Sequence, residues 1–351
     1  MHGRRSRRLN GGPILAVSLT LLLIIAAAQL LTGCGSGEAA DSDRLTIYSG
    51  RSEDLIGPLV ESFQEASGIE VSIRYADTAE LAATILEEGD NSPADVFLAQ
   101  DAGALGAVSA EGRFATLEED LLSRVDPRFR AEDGSWVGLS GRARVLVYST
   151  DSLTEADLPD SVFDLTDPKW RGKIGWAPTN GSFQAFVTSL RVTQGEDATR
   201  DWLEGILANE PRVYPKNSPI VEAVGAGEIE VGLVNHYYLY RFYEERGDGF
   251  PAANHYFTAE ADPGNLINVA GAGILDTAAN PEAATKFIRF MLSDEAQTHF
   301  AQETAEYPLV EGIEADPRLK PLAEISTPEV DLSDLRSLEE TLDLLRELGI
   351  L

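Results

Sequence analysis

Cysteine is nearly absent from this chain: Cys34 stands alone among 351 residues. A single thiol excludes an intramolecular disulfide and any metal site built from several thiolates. Histidine is almost as scarce, with four in the sequence, of which His236, His255 and His299 lie beyond the N-terminal segment. Lysine numbers only five, and 28 basic residues face 58 acidic ones for a formal charge of −30. A surface of that sign repels nucleic acid and anionic head groups, so neither is a partner of the folded part. There is no Gly-x-Ser-x-Gly elbow, no His-Glu-x-x-His and no P-loop, which leaves an enzyme without its usual machinery. No internal repeat occurs, and no run of like charge is long enough to predict a disordered tail.

What is present begins at the N-terminus. Arg4, Arg5, Arg7 and Arg8 precede an apolar run from Ile14 to Leu31, the charge and length of a signal peptide spanning residues 1–33. An uncleaved transmembrane anchor is the other reading of that run. Ser6-Arg7-Arg8-Leu9 leaves export by the general or the twin-arginine route open. Leu31-Thr32-Gly33-Cys34 resembles a bacterial lipobox, in which Cys34 is acylated, and residues 34–43 read as a polar tether. These segments predict a protein held by lipid at the extracytoplasmic face of the cell membrane.

The remaining residues, about 310, suffice for one large or two medium domains. Strand-like runs at Leu45–Tyr48, Glu70–Tyr75 and Asp95–Ala99 alternate with helical ones at Asp54–Ser67, from Asp77 to Gly89, and at Ala102–Ala110. Asp77 with Glu80 predicts a capping box, and Gly68 and Gly112 are stop signals. A continuous apolar strand, Ala143–Tyr148, opens a second α/β region. It continues with Ile174–Ala177, a helix from about Ser182, a helix near Asp201–Ala208, and the strand Val231–Asn235. Gly271–Leu275, a proline-initiated helix Pro281–Leu292 and an amphipathic helix Leu332–Leu348 complete the pattern. The expected architecture is α/β: two lobes with a ligand in the crevice beyond their strand ends.

Tyr237-Tyr238 directly follow the strand that ends in Asn235. Adjacent phenols reach one cleft only if the backbone turns there. As phenolates they are hard anionic donors suited to a trivalent cation such as Fe(III). Ordinary aromatic packing at a strand-to-helix junction is the competing account. Asn180-Gly181 precedes a helix whose free N–H groups favour an anion. Asn217 sits at a predicted helix start, where an N-cap is the plain alternative.

Eight stretches in register carry a family resemblance. They are Ile47-Tyr48-Ser49-Gly50, Ser92 to Phe97, Trp136 to Val145, Pro178 to Phe183, Lys216-Asn217-Ser218, Gly227-Glu228-Ile229, Asn235 to Tyr238, and Ala305 to Leu309. Together they resemble the periplasmic ferric-ion-binding proteins, the iron carriers among the two-lobed solute-binding proteins that feed ABC importers. The resemblance implies a Venus-flytrap fold of type II kind, with crossover strands near Arg142 and Asn268. Residues 44–142 with about 268–318 would form lobe one, and 143–267 with about 319–351 lobe two. It implies Fe(III) on Tyr237 and Tyr238, and a synergistic phosphate or carbonate held by Asn180, Gly181, Asn217 and Asn235. It also implies a monomer that hands its cargo to a permease and its ATPase.

Lobe one departs from the family. Where many members have a histidine and a glutamate, this chain has Ser52 and Gln100, neither a good Fe(III) ligand. Glu53 and Asp101 are the neighbouring acids that could ligate, or stay solvated. Arg51 could grip a carbonate bidentately, and Ser140, Gly141 and Arg142 are expected to complete the anion contacts. A same-fold binder of an organic or phosphonate anion without metal is the alternative function.

Overall fold

Alternating short apolar runs and amphipathic stretches fold as βα units in residues 44–351, the part of the chain that this computed structural model describes. The signal, the lipobox cysteine Cys34 and the tether lie outside the described residues. Strands β1 (Arg44–Ser49), β2 (Glu70–Tyr75) and β3 (Val96–Ala99) run parallel in the order β2-β1-β3. Helices α1 (Glu53–Ser67) and α2 (Thr78–Glu88) return the chain between them, as parallel pairing demands. Gly68 ends α1 in the left-handed region, at φ 72°. Helix α3 (Ala102–Ala110) then starts at Asp101, whose side chain accepts the Ala104 N–H.

Every one of the thirteen residues of β4 (Val137–Ser149) is buried. The second α/β region follows with β5 (Ile174–Trp176), α4 (Gly181–Gln194), α5 (Glu196–Ala208), β6 (Arg212–Val213), α6 (Asn217–Gly225), β7 (Val231–Asn235), α7 (Tyr237–Arg246) and β8 (Ala252–His255). The chain returns through β9 (Ile267–Ile274), α8 (Pro281–Met291), α9 (Asp294–Glu303) and β10 (Tyr307–Pro308), and ends in α10 (Leu338–Glu347).

Strand β4 belongs to both lobes. Its first half pairs with β9 and β10, which join the β1–β3 sheet because β9 also lies antiparallel to β3. Its second half pairs antiparallel with β7 and β8, and β7 continues to β5 and β6. The change of partners falls between Ala143, opposite Ile267, and Arg144, opposite Asn235. Arg142, two residues before Arg144, is opposite Asn268, so two arginines on one face of a strand flank the crossing.

Helices cover both sheets through apolar stripes. In α8 the stripe is Ala283, Ala284, Phe287, Ile288 and Met291, and Phe287 meets Phe63 of α1 edge-on with centroids 5.3 Å apart. Such a pair adds about 0.5–1.5 kcal/mol beyond burial.

Three expectations about local structure are corrected. Asp77 stands at the N-cap of α2 but lines the cleft and makes no cap bond, while Glu80 turns to Arg74, so the capping box does not form. The helix expected at Asp201 begins at Glu196, directly after Gly195 with φ 89°. The helix expected over Leu332–Leu348 is broken at Ser337. Leu332–Arg336 forms a tight turn of 3-10 helix against α3, where a Cβ on Gly103 would come 2.7 Å from the Leu335 carbonyl. α10 instead packs on α4, through a 2.8 Å Thr188–Thr341 hydroxyl contact and a 2.9 Å bond from Arg191 Nη1 to the Ser337 carbonyl. The C-terminal segment therefore straddles the two helices whose first turns face the cleft.

Candidate functional site

β7 ends at Asn235, His236 turns the chain, and Tyr237-Tyr238 become the first residues of α7. Their rings stack with centroids 4.4 Å apart and 27° between planes, and both line the cleft. Tyr237 is buried and Tyr238 half-buried. Arg241, one turn further on, lies over both rings at 5.2 and 5.7 Å. Burial above all, then the neighbouring Tyr238, pushes the Tyr237 phenol well above its ordinary range, with Arg142 pulling the other way. Tyr237 is therefore protonated in the metal-free protein at neutral pH, and an entering cation must displace that proton.

Another part of the cleft wall is the polar start of α4. Asn180 caps α4 through Oδ1, which accepts the Ser182 N–H at 3.1 Å and the Ser182 hydroxyl at 2.5 Å. The positive end of this helix faces the cleft at Gly181. Asn217 is not an N-cap: Lys216 holds that position, and Asn217 is the first helical residue. Its Nδ2 donates to Asn180 Oδ1 at 3.3 Å and to Ser182 Oγ at 3.2 Å, drawing α6 onto the start of α4. Asn235 Oδ1 accepts from Arg144 Nη1 at 3.4 Å. The structure thus brings Tyr237, Tyr238, Asn180, Gly181 and Asn235 to one cleft. Its two adjoining chambers measure about 600 and 880 Å³ and share the tyrosines and Asn180-Gly181.

Lobe one contributes differently from the sequence reading. Arg51 is buried and donates through Nη2 to both carboxylate oxygens of Glu306, at 2.9 and 3.0 Å, and through Nη1 to Gln100 Oε1 at 3.0 Å. Its guanidinium is already satisfied beneath the cleft wall, so it does not offer the bidentate face expected for a carbonate. Ser140 is buried too, its hydroxyl donating to Glu306, and Gly141 packs against Leu309 and Tyr307. Of that expected group only Arg142 reaches the cleft. Its Nη2 donates to the Gln100 carbonyl, and its Nε is buried without a partner. Asp101 lines the cleft while capping α3, and burial raises its pKa against the pull of the Ala104 N–H and Arg142. Glu53 is exposed in the first turn of α1, and the Tyr75 phenol is raised first by burial and then by Glu53. Among the described residues no three His, Cys, Asp or Glu side chains cluster as a metal cage.

Three residues outside the expected ligand and anion sets shape the site. Glu306 is the buried acid between Arg51 and Ser140. Burial alone would raise its pKa, but Arg51 and Arg142 outweigh that and hold the carboxyl below its ordinary range. His236 is buried, accepts the Ala143 N–H on Nδ1 at 3.0 Å, and bonds the Ala305 carbonyl through Nε2 at 2.7 Å, so it ties the site to the crossover strand. Ser182 joins Asn180, Asn217 and Arg144 through its hydroxyl. All three stand inside the quoted family stretches, but apart from Asn180, two positions before Ser182, the partners that define their roles lie 35 to 255 positions away, which leaves little local pattern to read.

A two-lobed α/β body with its polar cleft at the strand crossing defines a solute-binding protein rather than an enzyme. The model of the family described as bacterial extracellular solute-binding proteins matches residues 91–333, and the chain belongs to that family. The chain is 32% identical over 326 residues to the "Fe(3+)-binding periplasmic protein" of Serratia marcescens, covering 93% of this chain and 96% of that protein. It is 35% identical over 308 residues to the "Major ferric iron-binding protein" of Neisseria meningitidis, covering 87% and 93%. Among solved structures, iron-bound HitA from Pseudomonas aeruginosa superposes with a TM-score of 0.81 at 38% identity, covering 87% of this chain and 99% of HitA. A Trichodesmium protein (IdiA, FutA) in complex with iron and citrate ligands gives 0.78 at 28% identity, covering 87% and 99%.

Proposed function

We propose that this protein captures Fe(III) in the interlobe cleft together with a synergistic anion, phosphate or carbonate, and delivers it to the permease and ATPase of an ABC importer. The observation that carries the reading is the stacked Tyr237-Tyr238 pair at the head of α7, sharing a cleft with the N-terminus of α4, Asn180 and Asn235. The relatives named for ferric iron support it. Tyr237 and Tyr238 are the metal ligands, and each gives up its proton as it binds. Asn180, Gly181, Asn217 and Asn235, with Arg142, hold the anion. Asp101 is the one acid of the lobe-one pair placed to add a ligand, since Glu53 does not line the cleft. Residues 44–142 with about 268–318 form lobe one and 143–267 with about 319–351 lobe two, the last segment leaning on both. The chain works as a monomer, tethered through acylated Cys34 at the outer face of the cell membrane.

The test is metal analysis and a visible spectrum of protein purified without chelator. Fe(III) on tyrosinate gives a charge-transfer band, and Tyr237→Phe and Tyr238→Phe each remove it. A colourless, iron-free protein that takes up ferric citrate no better than buffer would instead identify a metal-free anion binder.

A further inference from the structure

Arg144 is the second of the two arginines at the strand crossing, and its surroundings are unlike those of the buried Arg51. It is 2% exposed. Its Nη2 donates to the Leu233 carbonyl at 2.8 Å, and its Nη1 reaches Ser182 Oγ at 3.3 Å and Asn235 Oδ1 at 3.4 Å. Its charge lies over the rings of Phe183 and Phe186, at 5.8 and 5.7 Å. Its Nε is buried with no acceptor. Arg51 has Glu306, but among the described residues no carboxylate lies within ion-pair reach of Arg144.

A buried cation with no counter-charge is a costly arrangement that natural proteins keep where the charge is used. Desolvation pushes this guanidinium down to about 9, and the nearby groups opposing the shift are the phenols of Tyr238 and Tyr237. As iron ligands, Tyr237 and Tyr238 would both be phenolates. Negative charge therefore enters the neighbourhood of Arg144 together with the cargo.

We propose that Arg144 is a positioning residue that supplies the fixed counter-charge of the loaded site, neutralising the tyrosinates and anion while holding Ser182 and Asn235 in register. The inference rests on the ferric reading above and adds the residue that makes two adjacent phenolates and an anion tolerable in one buried place. It separates two parts of the site. Tyr237 and Tyr238 touch the metal, whereas Arg144 acts through the charge they acquire and through the two side chains it bonds.

The experiment compares the parent protein with Arg144→Lys and Arg144→Met in three measurements: thermal unfolding of the iron-free form, iron retention against citrate, and the phosphate concentration that half-restores retention in anion-depleted protein. Arg144→Met should unfold within a few degrees of the parent or above it, because a buried uncompensated charge has been removed. It should lose iron to citrate at least tenfold more readily and need at least tenfold more phosphate. Arg144→Lys, which keeps the charge, should recover most of the retention. Arg144→Met holding iron and phosphate within threefold of a coloured parent overturns the inference. So does a loss that Arg144→Lys shares in full alongside an equal fall in iron-free stability, since that pattern is structural. A parent that never colours overturns the ferric reading itself, and a coloured parent with an indifferent Arg144→Met overturns this inference alone.

Discussion

Replacing Glu306 with glutamine should destabilise the iron-free protein by an amount the geometry sets. The carboxylate takes both oxygens to Arg51 Nη2, at 2.9 and 3.0 Å, accepts the Ser140 hydroxyl, and is 1% exposed. At 2.9 Å and an effective dielectric of about 20 the attraction is about 6 kcal/mol. Desolvation of both partners offsets part of it, and removing one partner of such a pair costs about 3–5 kcal/mol because the other charge is left buried. The Glu306→Gln variant keeps the shape and one acceptor, but Arg51 retains only Gln100 Oε1 and a neutral amide. For a folded part of about 310 residues that predicts a fall in melting temperature of roughly 5–8 °C, read by circular dichroism on metal-free protein. The double variant Arg51→Met, Glu306→Met should recover most of the loss, since no buried charge remains from the pair. A Glu306→Gln protein melting within about 2 °C of the parent would refute the claim that the pair holds lobe one together. A double variant worse than the sum of the singles would refute the charge argument in particular. The pH dependence has a definite sign. The Glu306 carboxyl is held below its ordinary range in the folded state, so its contribution is present above the unfolded value and is lost as the pH falls through the folded one.

Other expectations are shorter to state. Iron should be retained at neutral pH and released on acidification, because protons compete for the phenolates, and a charge-transfer band unchanged well below pH 5 would count against tyrosine ligation. Asp101→Ala should cost about 1 kcal/mol through the lost cap of α3 and Glu53→Ala almost nothing. In citrate competition both should matter less than Tyr237→Phe; equal damage from Asp101→Ala would make that acid a metal ligand. His236 is pushed from 6.5 down to about 4 by burial, so the unfolded chain takes a proton that the folded one refuses. The iron-free protein should therefore lose about 3 kcal/mol as pH falls from 6.5 to 4. His236→Asn should flatten that part of a stability-versus-pH curve, and an unchanged slope would show the loss to lie elsewhere.

Local signals carried well from sequence to structure. The strand Glu70–Tyr75, the glycine stop at Gly68 and the strand Val231–Asn235 fall where the pattern puts them, because each depends on neighbours within one turn or one strand. The adjacent tyrosines were legible for the same reason, since the turn at His236 is a property of the strand-to-helix junction. Failures came where a side chain had two possible partners. Asp77 could cap its helix or face the cleft, and Glu80 could complete that cap or turn to Arg74. Propensity counts only the first choice in each case, while the packing of the lobes decided for the second.

Arg51 and Arg144 show why the charge plan of the site lay beyond sequence reading. Both stand in or beside stretches that resemble the ferric-ion carriers, and both are almost fully buried. One is answered by Glu306, 255 positions away, and so holds lobe one together. The other is answered by no acid of the described chain, and its charge is left for what enters the cleft. The same residue type in the same family signature thus serves stability in one place and cargo in the other. Only the position of the buried carboxylate tells them apart, and β10 brings that carboxylate to the first half of β4 and not to the second.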